Sequence, residues 1–237
     1  MAQVQICRGF GDKDWEALSK RLVLVKDAVQ PDERDWQRAV DIFQRRMRER
    51  FFLCIEELEK VRTQDYVPIA DEPNPDRPLP EEGLTTGFAI MALCCLLIDT
   101  LQFFRAGAPT WNPPEKCPRP EKCANPSIGT GKAFVKFLTE CLSFEEKDAK
   151  KFYDGIRNGI LHQAETRAWV IRRDKPENRV VDCASKPYIL NRTIFCRELR
   201  TWFNRYVNQL RDPKESELRR FFLAGMEHVV DKCRHPN

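Results

Sequence analysis

Apolar side chains recur every three or four positions through most of the chain, which is the spacing of one face of an amphipathic helix. One such pattern runs from Asp32 to about Arg62, and its other face is rich in arginine. A second stretch, residues 85–107, is apolar nearly all round and predicts the central buried helix. The same spacing predicts further helices over residues 132–142, 144–162, 193–210 and 216–232. The pattern therefore predicts a mainly all-α fold, a helical bundle.

Two parts of the chain break the helical pattern. After the helix ending near His162, RAWVIRR and RVVDCA are rich in Val and Ile and are separated by the turn-forming DKPEN. This predicts a small β-hairpin insertion near residues 167–190, with YILNR as a candidate third strand. Residues 65–82 and 107–131 are rich in proline and predict loops. We predict that residues 1–33 form an N-terminal extension and that residues 34–237 form the helical domain.

A capping motif predicts where one of these helices begins. Ser143, Phe144, Glu145 and Glu146 fit a capping box, which predicts that Ser143 starts the helix carrying residues 144–162.

Composition and charge indicate the cellular compartment of the protein more clearly than its reaction. The chain has 237 residues, 42% of them hydrophobic, and a net charge of +4, so affinity for a polyanion would have to come from local patches. Its ten cysteines are irregularly spaced, and the first residues lack the apolar core of a secretory signal. The longest apolar run, Phe88–Ile98, is too short to span a bilayer. We therefore expect a cytoplasmic protein with free thiols and no membrane partner.

Most standard enzyme motifs are missing from the sequence. It has no glycine-rich phosphate loop after a strand, no HExxH, no GxSxG and no carboxylate-rich cluster. Cys117 and Cys123 are spaced C-x5-C without a second pair, which is a poor match to a zinc site. We predict no metal and no cofactor.

The stretch FYDGIRNGILHQAE, residues 152–165, holds one of only three histidines in the chain. His162 can act as a general acid or base near neutral pH, and Arg157 offers a fork of donors to phosphate oxygens. Asn158 can orient the imidazole or contact the phosphate. Together these groups could cleave RNA without a metal and leave a 2′,3′-cyclic phosphate. Arg157 and His162 could equally be surface residues near a helix C-terminus, where positive charge is favourable.

RNGILH, Arg157 to His162, resembles the R-x4-H motif of the HEPN superfamily, whose members commonly carry a polar residue after the arginine. The resemblance extends over about residues 36–211 and is closest to stand-alone bacterial HEPN proteins. It implies a four-helix bundle with additional helices, a homodimer with both motifs at one cleft, and metal-independent endoribonuclease activity on RNA. It also implies a toxin or anti-phage defence role, with an antitoxin or regulatory protein as a candidate partner.

The sequence departs from one group of HEPN toxins at a single position, and this bears on the expected antitoxin partner. HEPN toxins that pair with a nucleotidyltransferase antitoxin carry a tyrosine two residues after the histidine, and this chain has Ala164 there. This argues against that pairing but not against nuclease chemistry.

Three acidic residues are candidate supporting groups. Asp99 is the one acid inside the apolar helix, and a buried carboxylate there needs a partner, for which Arg157 is suitable. Asp154 and Glu165 could tune the imidazole of His162. Each of the three could instead be an ordinary solvated helix residue.

The segment that follows the motif contains a candidate RNA-binding patch of four residues: Arg167, Trp169, Arg172 and Arg173. The arginine-rich face of the first long helix is a weaker candidate, because interleaved acids favour an ion-paired surface. Two functions of other classes stay open: a non-catalytic helical module that binds RNA, nucleotide or protein, and a dimerisation scaffold.

Overall fold

The computed structural model of the protein describes residues 5–22, 24–25, 28–29, 32–61, 86–106, 130–173, 180–184 and 186–234. The predictions for the proline-rich stretches 65–82 and 107–131 lie outside these residues, except that a helix already begins at Thr130. Cys117, Cys123 and the turn DKPEN also lie outside them.

Helices dominate the described residues, which confirms the all-α class. They are α1 Asp12–Ser19, α2 Glu33–Met47, α3 Leu53–Lys60, α4 Gly87–Ala106, α5 Thr130–Leu142, α6 Glu146–Phe152, α7 Asn158–Gln163, α8 Arg192–Arg211 and α9 Ser216–Arg234. Two π-helical turns, Arg48–Phe52 and Tyr153–Arg157, join α2 to α3 and α6 to α7. The strands are β1 Gln5–Cys7, β2 Phe10–Gly11, β3 Leu24–Val25, β4 Ala28–Val29, β5 Trp169–Arg172, β6 Val181–Asp182 and β7 Tyr188–Asn191.

Helix α4 is the centre of the molecule. It packs against α3, α5, α7, α8 and α9, and ten of its side chains are buried. The whole helix extends beyond the run Phe88–Ile98, and by length and composition it is the one described helix that could cross a membrane. Its most apolar window has a mean hydropathy of 1.9, and 56% of that window is buried inside the molecule. A buried core helix passes the same test, so the burial assigns α4 to the core.

Strand β1 accepts hydrogen bonds from arginines of α2 and of the π turn that follows it. The Arg46 guanidinium donates to the Ile6 carbonyl at 2.8 Å, and the Arg50 guanidinium donates to the Gln5 carbonyl at 3.2 Å. Arg45 pairs with Glu49 at 2.8 Å on the same face. These arginines serve intramolecular contacts, in line with an ion-paired surface.

The strands after the motif differ from the predicted hairpin. Strand β7 lies in the middle of the sheet, parallel to β5 and antiparallel to β6, in the order β5-β7-β6. The predicted pairing of β5 with β6 is therefore wrong, although the third strand that YILNR suggested is present. Local turn chemistry favoured the nearest strand, whereas β7, whose Leu190 is fully buried, takes the central position.

The capping prediction for Ser143 is also wrong. Ser143 has a φ of 57° and lies just after α5, and the Phe144 amide donates back to the Leu138 carbonyl at 3.1 Å. This is the hydrogen bond that closes a helix C-terminus. Ser143 ends one helix, and the next begins at Glu146 without a side-chain cap.

Helices α6 and α7 and the π turn between them form one continuous element, called here the motif helix (146–163). Its core anchor is Phe152, whose ring stacks on Phe195 at 5.2 Å. Trp169 of β5 lies against Gly155 in the π turn, and its indole N–H donates to the Lys151 carbonyl at 3.3 Å. A Cβ at position 155 would lie less than 3.0 Å from two indole atoms. The absence of a side chain at Gly155 thus lets the sheet dock on the motif helix.

This contact makes the effect of Gly155→Ala predictable in sign. Replacement of an ordinary helical glycine by alanine raises the free energy of unfolding by about 0.5–1 kcal/mol. Here the added methyl meets a buried indole, so we expect a loss of about 1–3 kcal/mol in the free energy of unfolding. Denaturant unfolding measures the change, and the loss should shrink when Trp169→Leu is added. A more stable Gly155→Ala variant would contradict the described packing.

Candidate active site

Arg157, the last residue of the π turn, has a fixed guanidinium group. Its Nη2 lies 3.1 Å from Asp99 Oδ2 on α4, and its Nη1 donates to Asn158 Oδ1 at 3.2 Å. The Tyr153 ring lies on the same side of the helix, with its centroid 5.6 Å from the guanidinium carbon. The Arg157 side chain is 16% exposed and that of Asp99 is 23% exposed. The predicted partnership of Asp99 with Arg157 is confirmed.

The pair still leaves donor capacity on the guanidinium. A guanidinium has five N–H donors in a planar fork, and the two described bonds engage one donor on each terminal nitrogen. Arg157 Nε is buried and has no hydrogen-bond partner among the described residues. The arrangement therefore presents an oriented cation with unused donors, which suits recognition of phosphate oxygens.

Asp99 is held in an unfavourable place for a carboxylate. Burial raises the pKa of the Asp99 carboxyl above its ordinary value, although the Arg157 guanidinium opposes that rise. Breaking such a partly buried pair is unfavourable, yet an apolar pair would often be at least as stable. A charged pair of this kind beside a solvent-exposed helix end marks a candidate functional site.

His162 lies in the last turn of α7 and is exposed. The helix ends at Ala164, which adopts a left-handed conformation with a φ of 51°, and the Glu165 amide donates to the Gly159 carbonyl at 3.2 Å. A Cβ on Gly159 would lie less than 3.0 Å from the Glu165 carbonyl oxygen. Gly159 therefore permits this close backbone approach, and the sharp turn leaves the imidazole in solvent.

The motif residues are arranged around the helix rather than in contact. Five positions separate Arg157 from His162, which is about 140° around an ideal helix. No described hydrogen bond joins the two side chains. The structure brings together Arg157, Asn158 and Asp99, while His162 and Asp154 are exposed without a described hydrogen bond. The Glu165 side chain is likewise exposed, and only its backbone has a described role.

The predicted RNA patch is only partly available to RNA. Trp169 is 4% exposed and packs on Phe152 and Tyr188, so its assignment to an RNA-stacking surface is wrong. Its position beside three arginines suggested a surface role, whereas its indole fills the space at Gly155. Arg167, Arg172 and Arg173 are exposed, and Arg173 donates to the Glu59 carbonyl at 2.8 Å.

Tyr153 is the site residue that sequence reasoning missed. It precedes Arg157 by four residues, a spacing that places two side chains on one helix face. That spacing was a usable signal, although the π turn that carries both residues was not evident from the sequence.

No group of three or more His, Cys, Asp or Glu side chains suited to a metal occurs within the described ranges. Comparison of the chain with models of protein families, with curated proteins and with solved structures found no match.

The Asp99 pair makes stability depend on pH in a defined direction. Because the native pKa of Asp99 is raised, the folded protein keeps this proton to higher pH than the unfolded chain does. The group's contribution to stability therefore falls as pH rises from the ordinary aspartate pKa of about 4 towards the raised native pKa. The Asp99→Asn variant has no ionisable group at position 99. We therefore expect the free energy of unfolding of the variant, minus that of the wild type, to increase as the pH rises over this interval. Denaturant unfolding at several pH values measures the difference, and a constant or opposite trend would contradict it.

Proposed function

We propose that this chain is a HEPN-type, metal-independent endoribonuclease that cleaves RNA and leaves 2′,3′-cyclic phosphate ends. The observation that carries the proposal is the guanidinium of Arg157, held by Asp99 and Asn158 on the same helix end as the exposed His162.

In the proposed reaction the 2′-oxygen attacks the adjacent phosphorus and the bond to the 5′-oxygen breaks. One neutral imidazole removes the 2′-hydroxyl proton, a second imidazole, in its protonated form, gives its proton to the leaving 5′-oxygen, and Arg157 stabilises the charge on the phosphorane. Asn158 is a positioning residue for Arg157 through its side-chain carbonyl. Asp99 is also a positioning residue, because it acts on the phosphate only through the guanidinium.

The two proton transfers favour a homodimer, in which His162 and His162 of the partner subunit each carry out one of the transfers. A surface for such a partner lies beside the pair, because α4 exposes an apolar stripe one to three turns from Asp99. Phe88 is 37% exposed and Leu96 is 45% exposed, with Ala92 half-buried between them. Exposed apolar side chains in a row on one helix are typical of a protein contact.

A cytoplasmic toxin or anti-phage role, restrained by an antitoxin or regulatory protein, fits the proposed chemistry. RNA cleavage would halt the host, so such an enzyme needs restraint. Arg167 and Arg172 are exposed just after the motif, and in this proposal they contact the RNA backbone.

The alternative is a non-catalytic module that binds RNA, nucleotide or a partner protein. It is favoured by the low exposure of Arg157 and by its existing anionic partner, since a guanidinium paired with Asp99 is partly satisfied before any phosphate arrives.

Mutation of His162 separates the two functions. We expect wild type to cleave mixed-sequence single-stranded RNA in EDTA, and His162→Ala to lower the rate by about 10²–10⁴-fold. Arg157→Ala should also abolish cleavage. His228→Ala removes a histidine of α9 that lies 5.5 Å from Phe103, and it should leave cleavage unchanged if the variant folds. Cleavage that survives in both motif variants would contradict the assigned roles, and RNA binding without cleavage would favour the module.

The dimer is tested by Leu96→Glu. A carboxylate at the end of the α4 stripe nearest Asp99 should convert a dimer into monomers in sedimentation experiments and remove cleavage with it. The control is Leu53→Glu on α3, where the leucine is 38% exposed and lies outside the stripe. An active wild-type monomer, or a Leu96→Glu variant that still forms dimers, would overturn this arrangement.

A further inference from the structure

A groove of about 770 Å³ lies between α5 and the first half of the motif helix. Val135, Phe144 and Tyr153 are the large apolar residues of its lining, and this apolar part is called here the floor. Phe144 is buried, whereas Val135 and Tyr153 are half-buried and present apolar surface to the groove. The groove is large enough for a flat ring system, and its floor has an aromatic ring on which such a system can stack.

The rim of the groove is balanced in charge. Three lysines and three carboxylates line it, and two ion pairs occur among them: Lys150 with Glu146 at 2.6 Å and Lys136 with Glu140 at 3.7 Å. Lys132 and Asp154 are exposed and make no described ion pair. Among the described lining residues, Lys132 thus offers a donor group and Asp154 an acceptor group, and the charges of the rim balance. A phosphate is poorly served by such a rim, whereas a neutral heterocycle with amino and carbonyl groups is well served.

The groove is continuous with the motif through Tyr153. One side of this residue lines the groove, and its ring lies 5.6 Å from the guanidinium carbon of Arg157. Gly131 permits the arrangement, because a Cβ there would come within 3.1 Å of the Tyr153 ring. A strand whose phosphate sits on Arg157 would therefore place a neighbouring base over the groove.

We propose that this groove binds an unpaired nucleobase of the RNA strand, next to the phosphodiester held by Arg157. The base stacks on the Tyr153 side of the floor, and its edge meets Lys132 and Asp154. This inference rests on the proposed function for its substrate, and it adds a subsite that would give the enzyme a preference for single-stranded RNA.

The test fills the groove without touching the motif. Thr139 is a half-buried residue of α5 that lines the groove, and Thr139→Trp places an indole in it. The control is Thr201→Trp, which adds the same bulk at an exposed position of α8 outside the groove lining. Both proteins are assayed as the full chain with a 12-nucleotide mixed-sequence RNA and with a series that carries a single abasic site at each position in turn.

We expect Thr139→Trp to lower kcat/KM by about ten- to a hundred-fold, the loss of one stacked base, with Thr201→Trp unchanged. One abasic position should lower kcat/KM of the wild type by a similar factor and should have no further effect on Thr139→Trp. Unchanged cleavage by Thr139→Trp, or an abasic penalty equal in both proteins, would overturn the subsite while leaving the nuclease standing.

A second measurement separates this inference from the proposed function. Adenosine is titrated into wild type, Thr139→Trp and Thr201→Trp, and binding is followed by saturation-transfer NMR. If the wild type cleaves no RNA but adenosine binding is lost only in Thr139→Trp, the base site stands and the nuclease fails. If adenosine binds all three proteins equally, or none of them, the base site is overturned.

Discussion

Burial of α4 is the constraint on which the rest of the molecule depends. A helix that is apolar nearly all round must be covered, and α3, α5, α7, α8 and α9 cover it. Its single carboxylate, Asp99, lies where the motif helix crosses, so the cover must bring a cation to that point. Arg157 meets that need, and the ion pair fixes the guanidinium before any substrate binds.

The opposite side of the motif helix is held by the sheet. Trp169 fills the space left by Gly155 and bonds to the Lys151 carbonyl, so the π turn is fixed between the indole on one side and α4 on the other. π turns interrupt the regular helix and frequently occur at functional sites. In this chain the turn ends at Arg157 itself, which is why packing far from solvent determines the direction of a partly exposed cation.

Much of the fold could be predicted from the sequence, because long amphipathic helices repeat their apolar positions regularly. The Asp99–Arg157 pair was also predictable, since a carboxylate in an apolar helix needs a cation. The sheet order was not, because β5 and β7 pair in parallel across intervening chain and local turn residues carry no signal for that. Trp169 and Ser143 were misassigned for a related reason: an indole and a hydroxyl suit two environments each, and only the tertiary contacts distinguish them.

The central claim is that an oriented guanidinium and an exposed imidazole cleave RNA through its own 2′-oxygen. The most direct measurement compares two oligonucleotides of one sequence in EDTA, one of RNA and one with every 2′-hydroxyl methylated, followed by mass analysis of the ends. We expect cleavage of the RNA alone, with 2′,3′-cyclic phosphate and 5′-hydroxyl ends. Cleavage of the methylated strand, or products with 5′-phosphate ends, would contradict it.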